Sequence, residues 1–146
     1  DQASYDADRY LRPQTPGQAK FSMAYCIARV ISAGRVTVDD FAGDEIHDRR
    51  SAEFADKVNI VCDPEAFHDS RFGAEVIIEL NDGSVYSEKE YYGKGDPLNR
   101  MSDTEILDKL AACLRFSRNE ERLEEKLALL LSFDSVENIR TIFSAI

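Results

Sequence analysis

The chain has no tryptophan, only two histidines (His47 and His68), and three cysteines, Cys26, Cys62 and Cys113, spread over its 146 residues. Two isolated histidines, with neither HExxH nor a Cys/His cluster, leave no ready-made zinc site, and no metal is expected. The cysteines are odd in number, widely spaced and without CxxC, a usage that suits core thiols in a reducing cytoplasm better than a disulfide framework or metal ligands. Phosphate-cradling glycine motifs are missing as well. Neither GxGxxG before a helix nor GxxxxGK[ST] occurs, so no nucleotide cofactor, and no cofactor of another kind, is expected. Basic residues are scarce, 18 against 28 acidic, and the net charge is -10. Nucleic acid as a partner wants a basic stripe that displaces counterions, and anionic membranes want the same sign; both are disfavoured. No run approaches the roughly eighteen apolar residues of a membrane span, and the opening DQASYDADRY is too polar and acidic for a secretory leader. A cytoplasmic location follows as the expectation. Opening on Asp1 instead of Met, the chain is also expected to lack residues upstream.

What is present supports a folded core, since 43% of the residues are hydrophobic and the length is near the commonest for one domain. The segment TPGQAKFSMAYCIARVISAGRVTVDDF, Thr15 to Phe41, carries the strongest local signals. Thr15 suits an N-cap, Pro16 the first helical position, and Gln18 can close a capping box. Gly34 suits the stop. Between them Phe21, Ala24, Tyr25, Ala28 and Ile31 recur at steps of three and four, and Met23, Cys26, Ile27 and Val30 make the other face apolar too. One helix from Pro16 to Gly34, buried nearly all round, is the prediction. Lys20, Ser22 and Tyr25 lie within it, and polar groups in a dry helix need a partner, water or a ligand.

Downstream, Thr37 with Asp40 predicts a short helical turn, and a third helix is expected from about Arg50 to Lys57. Val58, Ile60 and Cys62 alternate with Asn59 and Val61 as a short strand ending at Asp63-Pro64. Ala74, Val76, Ile78 and Leu80 alternate along a second strand, and Asn81-Asp82-Gly83 supplies a turn into Ser84 to Tyr91, the strongest hairpin in the chain. After GKGDPLN the pattern turns wholly helical. Ser102 with Glu105 forms a capping box, Met101 is placed to staple onto Ile106, and Leu107, Leu110, Ala111 and Leu114 form the apolar stripe. Ser117 with Glu120 is read as the start of a helix facing inward through Leu123, Leu127, Leu130 and Leu131. Asp134 with Glu137 is read as the start of the last, with Val136, Ile139, Phe143 and Ile146 on one side. The charged run Arg118 to Lys126 reads as an exposed helix face. The acidic group Asp39, Asp40, Asp44, Glu45 and Asp48 lacks calcium-loop spacing and reads as solvated helix starts. The fold class is α+β: a small antiparallel sheet with packed helices, followed by a C-terminal helical segment.

Four stretches, in order, resemble the C-terminal portion of the MmgE/PrpD family: the Thr15 to Phe41 motif, VNIVCDPE, AEVIIELNDGSVYSEKEYYGKGDP and MSDTEILDKLAACL. That family includes 2-methylcitrate dehydratase, cis-aconitate decarboxylase and iminodisuccinate epimerase, enzymes that need no cofactor. The resemblance implies a lid-like α+β domain over residues 1–95 and, over 96–146, helices that return to a large helical domain. It further implies that the chain is the C-terminal part of a lyase or isomerase acting on a small polycarboxylate, most simply a 2-methylcitrate dehydratase of propionate catabolism, and that the parent is a homodimer. The general base and most substrate-gripping lysines would lie upstream, so this chain holds no catalytic residue and is expected to be inactive alone. Its contribution would be substrate binding: Tyr25 matches a tyrosine at the family's cleft, Ser22 stands three residues earlier on the same side, and Lys20 offers a cation. Family members often have a histidine where this chain has Asp96.

Residue type alone leaves a second arrangement open, in which the Tyr25 hydroxyl is tied to backbone, Ser22 bonds to a carbonyl and Lys20 is solvated. A second class of function stays open too: a non-enzymatic acidic module that binds a protein partner, or itself, through the apolar stripes of its helical tail. An upstream reading frame carrying the helical domain would favour the enzyme.

Overall fold

The computed structural model describes residues 10–63, 65–67, 72–118 and 120–145. Among the described residues, six α-helical segments, short 3-10 turns and one two-stranded antiparallel sheet make the chain α+β. It divides into two compact units, Asp1–Val36 with Asp40–Arg100, and Thr37–Asp39 with Met101–Ile146.

The first unit is built on a helix that breaks where the periodicity predicts continuity. Thr15 caps α1, Pro16–Ala19, by accepting from the Gln18 N–H, and Pro16 occupies its first turn. The chain then turns through Lys20 and Phe21, and a second helix, α2, runs Met23–Ala33. The break has a local cause. Ser22 is extended (φ -125°, ψ 101°), and its Oγ accepts from the Tyr25 N–H, so the serine starts a new helix instead of lying inside the old one. Gly34 ends α2 in the left-handed region, φ 80°, where a side chain would be strained. Nor is α2 buried all round: Ala24, Tyr25 and Ala28 are, whereas Val30 and Ile31 are 49% and 43% exposed.

A 3-10 turn, Val38–Phe41, falls at the predicted turn, and a second covers Gly43–His47. Asp48 then caps α3, Arg49–Ala55, through the Ser51 N–H. Helices α2 and α3 pack together through small residues. Ala24, Ala28 and Ala55 form one buried cluster, against which Phe54, Val58 and Ile60 pack. Alanines one turn apart leave no bulk between backbones, and so two helices can approach closely. Arg12 forks onto Asp56, the C-cap of α3, with bonds of 2.9 and 2.8 Å.

Residues 58–62 are not a strand, contrary to their alternation: Val58 and Ile60 spend their apolar surface on the alanine cluster without finding a pairing partner. The sheet is β1, Ala74–Glu79, paired with β2, Val85–Glu90, in a register that sets Ile78 opposite Tyr86 and Val76 opposite Glu88. The turn closes through Leu80 N–H to Ser84 C=O, with Gly83 at φ 86°. Both strands are exposed along their whole length. At the start of β1, Gly73 has no room for a Cβ, which would sit 2.2 Å from the Phe67 ring.

In the second unit, α4 (Asp103–Phe116) opens on the full capping box of Ser102 and Glu105 and buries Ala111 and Leu114. Ser117 closes this helix; it does not open the next. Arg118 and Arg122 take left-handed backbone, φ 57° at each, and α5, Leu123–Leu131, starts after Arg122 with no side-chain cap. Lys126 is buried at 7% exposure, a departure from the solvated face expected for its charged run. A 3-10 turn, Phe133–Ser135, takes up the predicted Asp134 start. The last helix, α6, is Arg140–Ala145, opened by the Asn138 side chain accepting from the Arg140 N–H. That later start rotates the buried face to Ile142, leaving Ile139 and Phe143 51% and 75% exposed. Ile146, at the end of the predicted stripe, lies outside the described residues.

Candidate functional site

The polar centre of the first unit gathers where α2 meets the segment that leads into α3. Tyr25 is 3% exposed, and its hydroxyl donates to the Asp40 backbone carbonyl at 2.5 Å. Its ring packs on Phe41, centroids 5.9 Å apart, in a cluster with Ala19, Ile46 and Cys26. One turn on, Arg29 donates from Nε to Asp40 Oδ1 at 2.8 Å and from Nη2 to the same oxygen. The pair is largely dry, with side chains 12% and 8% exposed. Nη1 of Arg29 reaches Asp48 Oδ2 at 3.4 Å and Ser51 Oγ at 3.3 Å. Ser51, itself buried, donates to Asp48 at 2.6 Å and shares a 3.0 Å hydroxyl contact with Ser32.

Electrostatics follow from these contacts. Burial on its own lowers the Arg29 pKa, but the hydrogen bond and charge of Asp40, helped by Asp48, outweigh it, and the guanidinium is held more firmly protonated than usual. Asp48 is held below the ordinary carboxylate value, first by the Ser51 hydroxyl and then by the Ser51 N–H. Each buried side-chain nitrogen and oxygen among the described residues has a hydrogen-bond partner. Such a network specifies one arrangement of its loop, because any slip would strand a charge in a dry site.

The three residues singled out in the sequence fall together at the start of α2 but in different settings. Lys20 is exposed, in the turn between α1 and α2. Ser22 is buried, with Oγ engaged by the Tyr25 N–H. Tyr25 points its hydroxyl at backbone. Arg29 is not among the residues singled out in the sequence, although it carries a usable signal there: a charge four residues after Tyr25, inside an apolar run, must have a partner. Asp40 is a correction, buried at 6% where a solvated helix start is expected. Asp48 does start a helix. Among the described residues no group of His, Cys, Asp and Glu is placed to hold a metal. His47 is exposed, and His68 lies outside the described residues. Cys26 and Cys62 are half-buried and Cys113 is exposed, so the expectation of three core thiols fails at Cys113. No helix among the described residues is long and apolar enough to cross a membrane.

A helix pair closed by alanines, a hairpin and a following helical unit, with polar residues braced around a single aspartate, define an α+β domain of mixed architecture. The chain belongs to the MmgE/PrpD family: the MmgE/PrpD C-terminal domain matches residues 2–132. No curated protein matches the chain.

Proposed function

We propose that this chain is the C-terminal part of an MmgE/PrpD-type lyase or isomerase that acts on a small polycarboxylate, with dehydration of 2-methylcitrate as the preferred reaction. The observation that carries the reading is the family match over residues 2–132, which includes the Lys20 to Tyr25 segment. Proton movement next to a carboxylate needs a positioned base, cations for the substrate carboxylates and donors for developing charge. On this reading the base is supplied from outside this chain, and the α1–α2 junction forms part of the wall of the site. Lys20 is exposed and offers its ammonium to a substrate carboxylate. Ser22 and Tyr25 bring hydroxyls to the same junction. Tyr25 donates to substrate only by exchanging its bond to the Asp40 carbonyl for one to the ligand.

The test is turnover of 2-methylcitrate, cis-aconitate and iminodisuccinate by the parent enzyme, beside its Lys20→Ala and Tyr25→Phe variants. Turnover of one of these substrates is expected, with KM raised by Lys20→Ala and kcat lowered by Tyr25→Phe. Unchanged turnover in Tyr25→Phe would assign that residue to the core alone. No turnover of any of the three would remove the substrate class.

A second reading, a protein-interaction module, is favoured by one observation. In the helical unit Phe116, Leu131, Phe133, Ile139 and Phe143 are each at least half exposed, and exposed apolar side chains seek a cover. Self-association or capture of a partner by the chain alone, with no activity in any longer form, would select it.

A further inference from the structure

We infer that Arg29 is a positioning residue for Tyr25: by gripping the Asp40 side chain it holds the Asp40 carbonyl in front of the Tyr25 hydroxyl, and so decides where that hydroxyl points. Tyr25 and Arg29 stand four residues apart on α2 and therefore on one face. Both reach the same residue from different sides, Tyr25 through the backbone carbonyl at 2.5 Å and Arg29 through the carboxylate, Nε at 2.8 Å. A residue held at both its carbonyl and its carboxylate has little freedom to rotate, since turning to keep one bond breaks the other.

The grip is itself braced. Behind Arg29, Asp48 and Ser51 accept from Nη1 at 3.4 and 3.3 Å, and Asp48 is pinned to the start of α3 by the Ser51 N–H at 2.9 Å. The guanidinium therefore ties the cap of α3 to Asp40, with α2 as the common support. Without it the Asp40 carboxylate, 8% exposed, would face a dry site with its main counter-charge gone. To bring that carboxylate to water the short 3-10 turn Val38–Phe41, in which Asp40 is buried, has to shift, and the Asp40 carbonyl shifts with the turn. Tyr25 would then lose its acceptor, and its hydroxyl would be available to another one. The step from hydroxyl orientation to substrate contact rests on the proposed function; the clamp itself does not.

The experiment follows the Tyr25 hydroxyl directly in the full chain. With tyrosine labelled at ring Cζ, the deuterium isotope shift reports hydroxyl proton exchange, and the Tyr25 line is assigned by its loss in Tyr25→Phe. In Arg29→Gln the Tyr25 line is expected to move and its exchange to accelerate about tenfold or more, the scale of one lost hydrogen bond. An unshifted line with unchanged exchange in folded Arg29→Gln would overturn the inference. Should that variant fail to fold, Asp40→Asn decides: its amide oxygen still accepts from Arg29, whose charge keeps Asp48, but the bond is weaker. A smaller acceleration in the same direction is expected there, and an unchanged rate would overturn the inference equally. The readout needs no substrate, so a failed turnover assay and a failed clamp are separate results.

Discussion

Asp40 shows how much one side chain's surroundings can alter its meaning. In sequence it is one of five acids in ten residues; in the fold it receives Arg29 on its carboxylate and Tyr25 on its carbonyl. The Tyr25 bond is buried, so deleting its donor leaves an acceptor dry. Tyr25→Phe is expected to cost about 1–3 kcal/mol of stability, the penalty for an unsatisfied buried partner. Lys20→Ala, on the exposed turn just before, should stay within about 0.5 kcal/mol. Urea denaturation of both variants checks this, and equal midpoints would mean that the Asp40 carbonyl finds water. Ser22 and Gly34 were readable as polar and flexible residues, and their local geometry agrees with their types. The Arg29–Asp40 pairing was not readable, because the two residues stand eleven positions apart and meet only once the chain has turned back.

At the scale of elements, caps written within three residues were the legible part. Ser102 with Glu105 forms the capping box its spacing predicts, since it needs only its own turn; Thr15 caps α1 through the Gln18 N–H, but the Gln18 side chain accepts from the Gln14 N–H instead of closing the box. Ser117 and Asp134 carry the same spacing and do not begin helices. Left-handed backbone at Arg118 and Arg122 delays α5, and arginine gives no advance sign of that conformation. The α2–α3 contact supplies the test at this scale. Ala28 is fully buried beside Ala24 and Ala55, so Ala28→Leu must push the helices apart or bend its own rotamer. It should cost about 1–3 kcal/mol, whereas Ala33→Leu, on the exposed end of α2, should change stability by less than about 0.5 kcal/mol. Thermal melts of the two variants compare them, and a neutral Ala28→Leu would show that the interface is loosely packed.

For the whole molecule the governing quantities are an excess of acid and a small number of carboxylates with lowered pKa. Asp48, Asp82 and Glu125 are each held below their ordinary values, by Ser51, Ser84 and Arg122 respectively. A carboxylate whose folded pKa is depressed binds fewer protons folded than unfolded in the interval between the two values. Its stabilisation is complete above the unfolded pKa, near 3.8 for Asp48, and is lost as pH falls through the folded pKa. Stability should therefore fall with acid below about pH 4. Asp48→Asn, which keeps a capping oxygen, should flatten that acid limb; an unaltered slope between pH 4 and pH 2, as flagged by the same linkage, would remove Asp48 from the account. By itself the sequence determined the α+β class, the hairpin, the Thr15 N-cap, the Ser102–Glu105 capping box and the family, because turn chemistry, caps and ordered motifs act over a few residues. Tertiary structure alone decided that residues 58–62 pack as loop and not as strand, and that Tyr25, Arg29 and Asp40 meet. Those outcomes depend on which surfaces come together and which charges are left dry, and neither is written in local spacing.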